Sequence, residues 1–76
     1  MNAASTSIGH LSRETGVKVP TIRFYEQIGL MPTPERSASD RRLYSEGATR
    51  RLGFIRHARE LGFSIEDIRS LLILSD

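Results

Sequence analysis

Apolar positions along this chain recur three and four residues apart in four stretches, the spacing of one face of a helix. Ser7 can cap a first short helix carrying Ile8 and Leu11, and Gly16 is a natural stop for it. A turn from Gly16 to Lys18 leads to a second helix that starts near Val19 and Pro20, where a proline sacrifices no hydrogen bond, and ends at Gly29. Between Leu30 and Tyr44 the helical pattern fails, because Pro32 and Pro34 block it and Ser37, Ala38, Ser39 and Asp40 read as a turn. Glu35-Arg36 and Arg41-Arg42-Leu43-Tyr44 flank that turn and predict a small two-stranded wing over 35–44, with Leu43 anchoring its base. Ser45 then caps a longer helix running to about Leu61, with Ala48, Leu52 and Ile55 on its core side. Gly53 in its middle should cost up to about 1 kcal/mol relative to Ala, which suggests a close packing contact or simple tolerance. Gly62 ends this helix. Ser64-Ile65-Glu66-Asp67 opens a fourth with capping-box-like spacing, and Ile65, Ile68, Leu71 and Leu72 line one face of it.

Two features of this pattern point toward function. The first two helices, joined by a Gly-containing turn, have the size and spacing of a helix-turn-helix, in which the second helix enters a DNA major groove. Projected at about 100° per residue, that second helix puts Thr21, Phe24, Tyr25 and Ile28 on one arc with Ile22 beside it, and Pro20, Arg23 and Gln27 on the other. Phe24 and Ile22 are expected in the core, Arg23 and Gln27 in solvent or at base edges, and Tyr25 either capping the core or donating to a phosphate. The second feature is the end of the chain, where Leu71 to Leu74 are consecutive apolar residues, more than one short helix needs to bury. They either complete the core or lead into something beyond it.

Composition narrows the classes. At 76 residues the chain is one small domain, 38% hydrophobic and 26% charged, too short for most enzymes and too apolar for a disordered tail. It has no Cys, which excludes disulfides and thiolate metal sites, and no signal-peptide pattern or membrane-length apolar run, so a cytoplasmic location is expected. The net charge of +2 conceals a strong asymmetry: residues 36–59 carry a local +5, between an amino-terminal part that balances and a carboxy-terminal part at −3. Lys18 is the only Lys, and Arg makes the planar, bidentate contacts to phosphate and guanine that Lys does not. Such a stripe is the electrostatic footprint of a nucleic-acid surface, with a merely solvated Arg-rich face as the alternative. In the third helix Arg50, Arg56 and His57 face outward, and Arg59 lies at the edge of the buried stripe, near enough to reach a phosphate beside the wing. Catalysis is disfavoured, because His10 and His57 are the only histidines and nothing in the pattern brings Ser45, His57 and Asp67 together.

The blocks Ile8-Gly9-His10-Leu11, Gly16-Val17, Thr21-Ile22-Arg23-Phe24-Tyr25-Glu26, Ile28-Gly29-Leu30, Arg42-Leu43-Tyr44-Ser45, Phe54-Ile55 and Ala58-Arg59-Glu60-Leu61-Gly62-Phe63-Ser64 follow one another in an order and at spacings that resemble the amino-terminal DNA-binding domain of the MerR family of bacterial transcription regulators. The resemblance runs from about Ile8 to Leu74. It implies a mostly α fold, a winged helix-turn-helix with a small two-stranded wing and a supporting second helix pair, preceded by a flexible tail over 1–7. It further implies sequence-specific binding to double-stranded promoter DNA, with the recognition helix at about 19–28 in the major groove and the wing at 35–44 on the backbone. By position Arg23 matches the recognition-helix arginine, Tyr25 a phosphate-contacting tyrosine, Arg36 and Arg42 the wing arginines, and Arg59 an arginine of the third helix that reaches the backbone. With Thr21, Arg41 and Tyr44 these form the candidate DNA-binding set.

Three departures qualify the resemblance. Pro20 stands where many relatives have Lys or Arg, and Asp40-Arg41 replaces a common Gly-Tyr pair at the wing tip. Family members also continue into a long dimerisation helix and an effector-binding tail, which this sequence lacks. The resemblance therefore implies a homodimer and an RNA polymerase context for a longer parent protein, and no metal or cofactor in this chain. Two other readings remain at this level: an excisionase-like architectural DNA-binding protein, and a protein-interaction module using the apolar carboxy-terminal end.

Overall fold

The computed structural model describes residues 6–36 and 42–75. In chain order the elements are α1 (Ile8–Thr15), α2 (Val19–Gln27), β1 (Glu35–Arg36), β2 (Arg42–Leu43), α3 (Glu46–Glu60) and α4 (Ile65–Ser75).

Local chemistry accounts for the helix boundaries. The Ser7 hydroxyl accepts from the His10 amide at 3.2 Å and the Ser45 hydroxyl from the Ala48 amide at 3.1 Å, each satisfying a donor that the first turn leaves free. At α4 the cap is reciprocal: the Asp67 amide donates to Ser64 Oγ at 3.0 Å, and the Ser64 amide donates to Asp67 Oδ2 at 3.3 Å. α1 stops at Gly16, whose φ of 79° lies in the left-handed region that residues with a Cβ avoid. Thr15 then fixes the turn, its hydroxyl donating to the Leu11 carbonyl at 2.8 Å and accepting from the Val17 amide at 3.3 Å. α2 begins with Pro20 in its first turn and no side-chain cap.

The core is one cluster to which every helix contributes. Leu11 from α1, Ile22 from α2, Leu30 and Met31 from the segment after it, Leu52 and Ile55 from α3 and Ile68 from α4 are all fully or almost fully buried. Each such side chain contributes roughly 1.5–3 kcal/mol of transfer free energy. α1 packs against both α2 and α3, and α4 lies against α3. The helix-turn-helix and the second helix pair are thus one body. No helix among the described residues is long and apolar enough to cross a membrane.

Two expectations are corrected here. Among the described residues the architecture is four helices, and the two-stranded wing expected over 35–44 is not present there as such. The described residues contribute only a pair of two-residue strands, antiparallel, with Glu35 opposite Leu43 and Arg36 opposite Arg42. The next position in that register sets Pro34 opposite Tyr44, whose amide and carbonyl point to the far edge, away from β1. Tyr44 turns instead to Thr6, donating its amide to the Thr6 carbonyl at 2.8 Å and accepting from the Thr6 amide at 2.9 Å. The turn expected at Ser37 to Asp40 lies outside the described residues. Of the tail expected over 1–7, Thr6 makes the pairing with Tyr44 and Ser7 caps α1, and residues 1–5 lie outside the described residues. Tyr44 is the buried anchor of the segment, 2% exposed, whereas Leu43 is half-buried.

Candidate nucleic-acid interface

α2 buries a narrow stripe. Ile22 and Tyr25 point inward, Thr21 and Ile28 are half-buried, and Pro20, Arg23, Phe24 and Gln27 are exposed. The expectation that Phe24 belongs to the core is therefore wrong: it is 46% exposed, with its ring 6.0 Å from that of Tyr25 at an interplanar angle of 48°. A helix of nine residues that meets the core along one line has room for two inward side chains three apart, and Phe24 falls beside that line. Arg23 stands on the exposed side as expected, and its guanidinium makes no ion pair or hydrogen bond among the described residues.

Beside α2 the surface dips into a groove between the start of that helix and the later turns of α3. Lys18, Thr21 and Tyr25 line one side, and Arg56, Arg59 and Glu60 the other. Three of the candidate DNA-binding residues, Thr21, Tyr25 and Arg59, are thus brought together, although they come from two helices far apart in sequence. The groove carries three cations against one carboxylate, and Lys18 has no polar partner among the described residues. Arg59 is exposed, and its Nη1 donates to the Phe63 carbonyl at 3.0 Å, a bond that closes the end of α3 and holds the side chain along the helix. The Arg56 guanidinium reaches across to the turn after α1, and a Cβ added at Gly16 would lie 3.2 Å from its Cζ and 3.4 Å from its Nε. On the other side Arg56 Nη2 pairs with Glu60 Oε2 at 3.1 Å.

The remaining candidates are placed differently. Tyr44 is in the core, and its hydroxyl donates to Glu26 Oε2 at 2.5 Å, linking the chain after β2 to α2. Arg36 and Arg42 face each other in the strand register, and Arg41 lies outside the described residues. Of the Arg-rich stripe, Arg51 is diverted inward: its Nε donates to the carbonyl of buried Leu30 at 2.9 Å, tying α3 to the segment that follows α2. Sequence reasoning missed Lys18 and Arg56 as groove residues. The signal was present for Arg56, since positions three and four apart on a helix share a face and Arg59 and Glu60 stand at those intervals from it.

A family model described as MerR HTH family regulatory protein matches residues 6–73. The chain belongs to this family. It is 45% identical over 69 residues to the mercuric resistance operon regulatory protein of Bacillus cereus, covering 91% of this chain and 52% of that protein. Among solved structures, the transcription regulator PbrR691 from Ralstonia metallidurans CH34, in complex with lead(II), superposes with a TM-score of 0.84 at 44% identity. The match covers 93% of this chain and 56% of that one. The MerR family regulator HiNmlR, which lacks a sensor domain and was solved on promoter DNA, shares the fold at a TM-score of 0.80 and 23% identity, over 95% of this chain and 57% of that one. The chain spans about half the length of the curated relatives it matches, between 46% and 52% for the first of them. The matched span of this MerR family chain takes in the helix-turn-helix with its supporting pair, so the groove between α2 and α3 lies wholly within it.

Proposed function

We propose that this MerR family chain is the DNA-reading head of a transcription regulator, binding double-stranded promoter DNA sequence-specifically. α2 enters the major groove with Arg23 toward base edges, and the cationic groove beside it takes the adjoining phosphates. The observations that carry this reading are an exposed Arg23, without a polar partner among the described residues, and the cationic groove that the other arc of the same short helix forms with α3. Arginine can bond O6 and N7 of guanine together, and arginine and lysine in a groove neutralise backbone charge. The fold shared with a regulator solved on promoter DNA supports the same placement. The exposed Leu61, Ile73 and Leu74 fit a longer parent protein that works as a homodimer, placed at promoters in reach of RNA polymerase. Such a protein acts in the cytoplasm, and the reading needs no cofactor or metal within these residues.

The test is a titration of labelled duplex at several salt concentrations. About four or five neutralised phosphates give a log-log salt slope of about −4, so a fourfold rise in salt weakens binding by about two orders of magnitude. Binding that is indifferent to such a rise would overturn the proposal.

A further inference from the structure

Arg56 stands apart from the candidates that the sequence singled out. The turn between α1 and α2 approaches α3 at Gly16, and the Arg56 guanidinium occupies the space that a Cβ there would need, with Cζ, Nε and Nη1 all between 3.2 and 3.5 Å from that point. Near-equal distances to three atoms of a planar group mean that the guanidinium lies with its face toward the turn, and the side chain lines the groove. One edge nitrogen is held by Glu60 at 3.1 Å, and the pair is half exposed, 50% and 54% for the two side chains. Lys18 and Arg59 lie in the same groove. An anion entering it meets a guanidinium already oriented by packing, together with a carboxylate that competes for the same hydrogen-bond donors. An exposed helix pair of this kind is weak, so a phosphate can displace Glu60 from Arg56 without disturbing the fold.

We infer that Arg56 is a further phosphate-binding residue and that Glu60 is its built-in counterion, which sets how tightly the head grips the DNA backbone irrespective of base sequence. The inference rests on the DNA-binding reading above. Its test uses a mixed-sequence duplex with the wild type, R56Q, R56K, E60Q and the R56Q/E60Q double variant. Freeing Arg56 from its exposed ion pair tightens E60Q binding by about two- to fivefold at low salt. R56Q binds more weakly, with a salt slope shallower by about 0.9, and R56K regains most of that slope. The decisive comparison is the double variant: if Glu60 acts through Arg56, the gain from E60Q shrinks to under about twofold once Arg56 is gone. An equal gain in both backgrounds, or an unchanged slope in R56Q, overturns the inference while leaving DNA binding intact. Failure of the wild type to bind any duplex overturns both.

Discussion

Arg51 offers the sharpest test of how the Arg-rich segment divides its labour. By charge alone it is one more cation in the stripe, yet its Nε is spent on the Leu30 carbonyl at 2.9 Å, and Leu30 itself is fully buried. Replacing Arg51 with Met keeps most of the aliphatic stem and removes the donor. A charged donor to a neutral carbonyl contributes about 1.5–3 kcal/mol, and the lower end applies because Arg51 is only half-buried and water can reach part of the bond. A loss of about 1.5 kcal/mol lowers the melting temperature of a domain this size by about 6–12 °C. Thermal melts followed by helical circular dichroism read that shift, and a salt titration of duplex binding reads the other half of the prediction. Because the guanidinium is turned toward the core, the salt slope should stay within about 0.3 of wild type, whereas loss of one phosphate contact would cost about 0.9. A variant that melts within about 2 °C of wild type while losing a full contact from its slope would refute the assignment of Arg51 to the fold.

Other outcomes follow from single positions. Arg23→Ala should lower discrimination between operator and unrelated duplex by about 1–3 kcal/mol, checked by competition binding; a variant that discriminates as well as wild type removes Arg23 from base reading. Gly53→Ala should stabilise the domain by up to about 1 kcal/mol, since an added Cβ there meets nothing within 4 Å; a lower denaturation midpoint in urea would contradict this. Tyr44→Phe should cost about 1–2 kcal/mol, measured in the same urea titration, because it removes the hydroxyl that binds the Glu26 carboxylate in a partly buried setting.

What the sequence disclosed and what it hid divide along the range of the interactions. Helix boundaries were legible because caps are local: Ser7, Ser45 and the Ser64–Asp67 pair act over three residues, and Gly16 acts at its own φ. Ile22, Leu52, Ile55 and Ile68 were legible because a 3.6-residue period names the core face. Phe24 was misread because the period gives a direction, while the width of the buried stripe depends on how closely the neighbouring helices approach. The inward bonds of Arg51 and Tyr44 were not legible for another reason. Their partners stand 21 and 18 residues away, and no pattern within one helix announces a bond of that span. Gly53, with open space around it, resolves to simple tolerance. Thr21, Tyr25 and Arg59 meet in one groove, whose charge comes from Lys18 and Arg56 as well as Arg59.

The antiparallel exchange between Thr6 and Tyr44 has a topological meaning. It closes the chain from residue 6 to residue 44 into a ring that holds α1, α2 and the β1–β2 pair, and the ring shuts next to the residue whose hydroxyl grips Glu26 on α2. A cut or truncation at the very start of the domain is therefore not remote from α2. Trimming the chain past Thr6 unlatches the ring, frees the backbone of Tyr44, and passes the slack to α2, which the Tyr44 hydroxyl holds through Glu26.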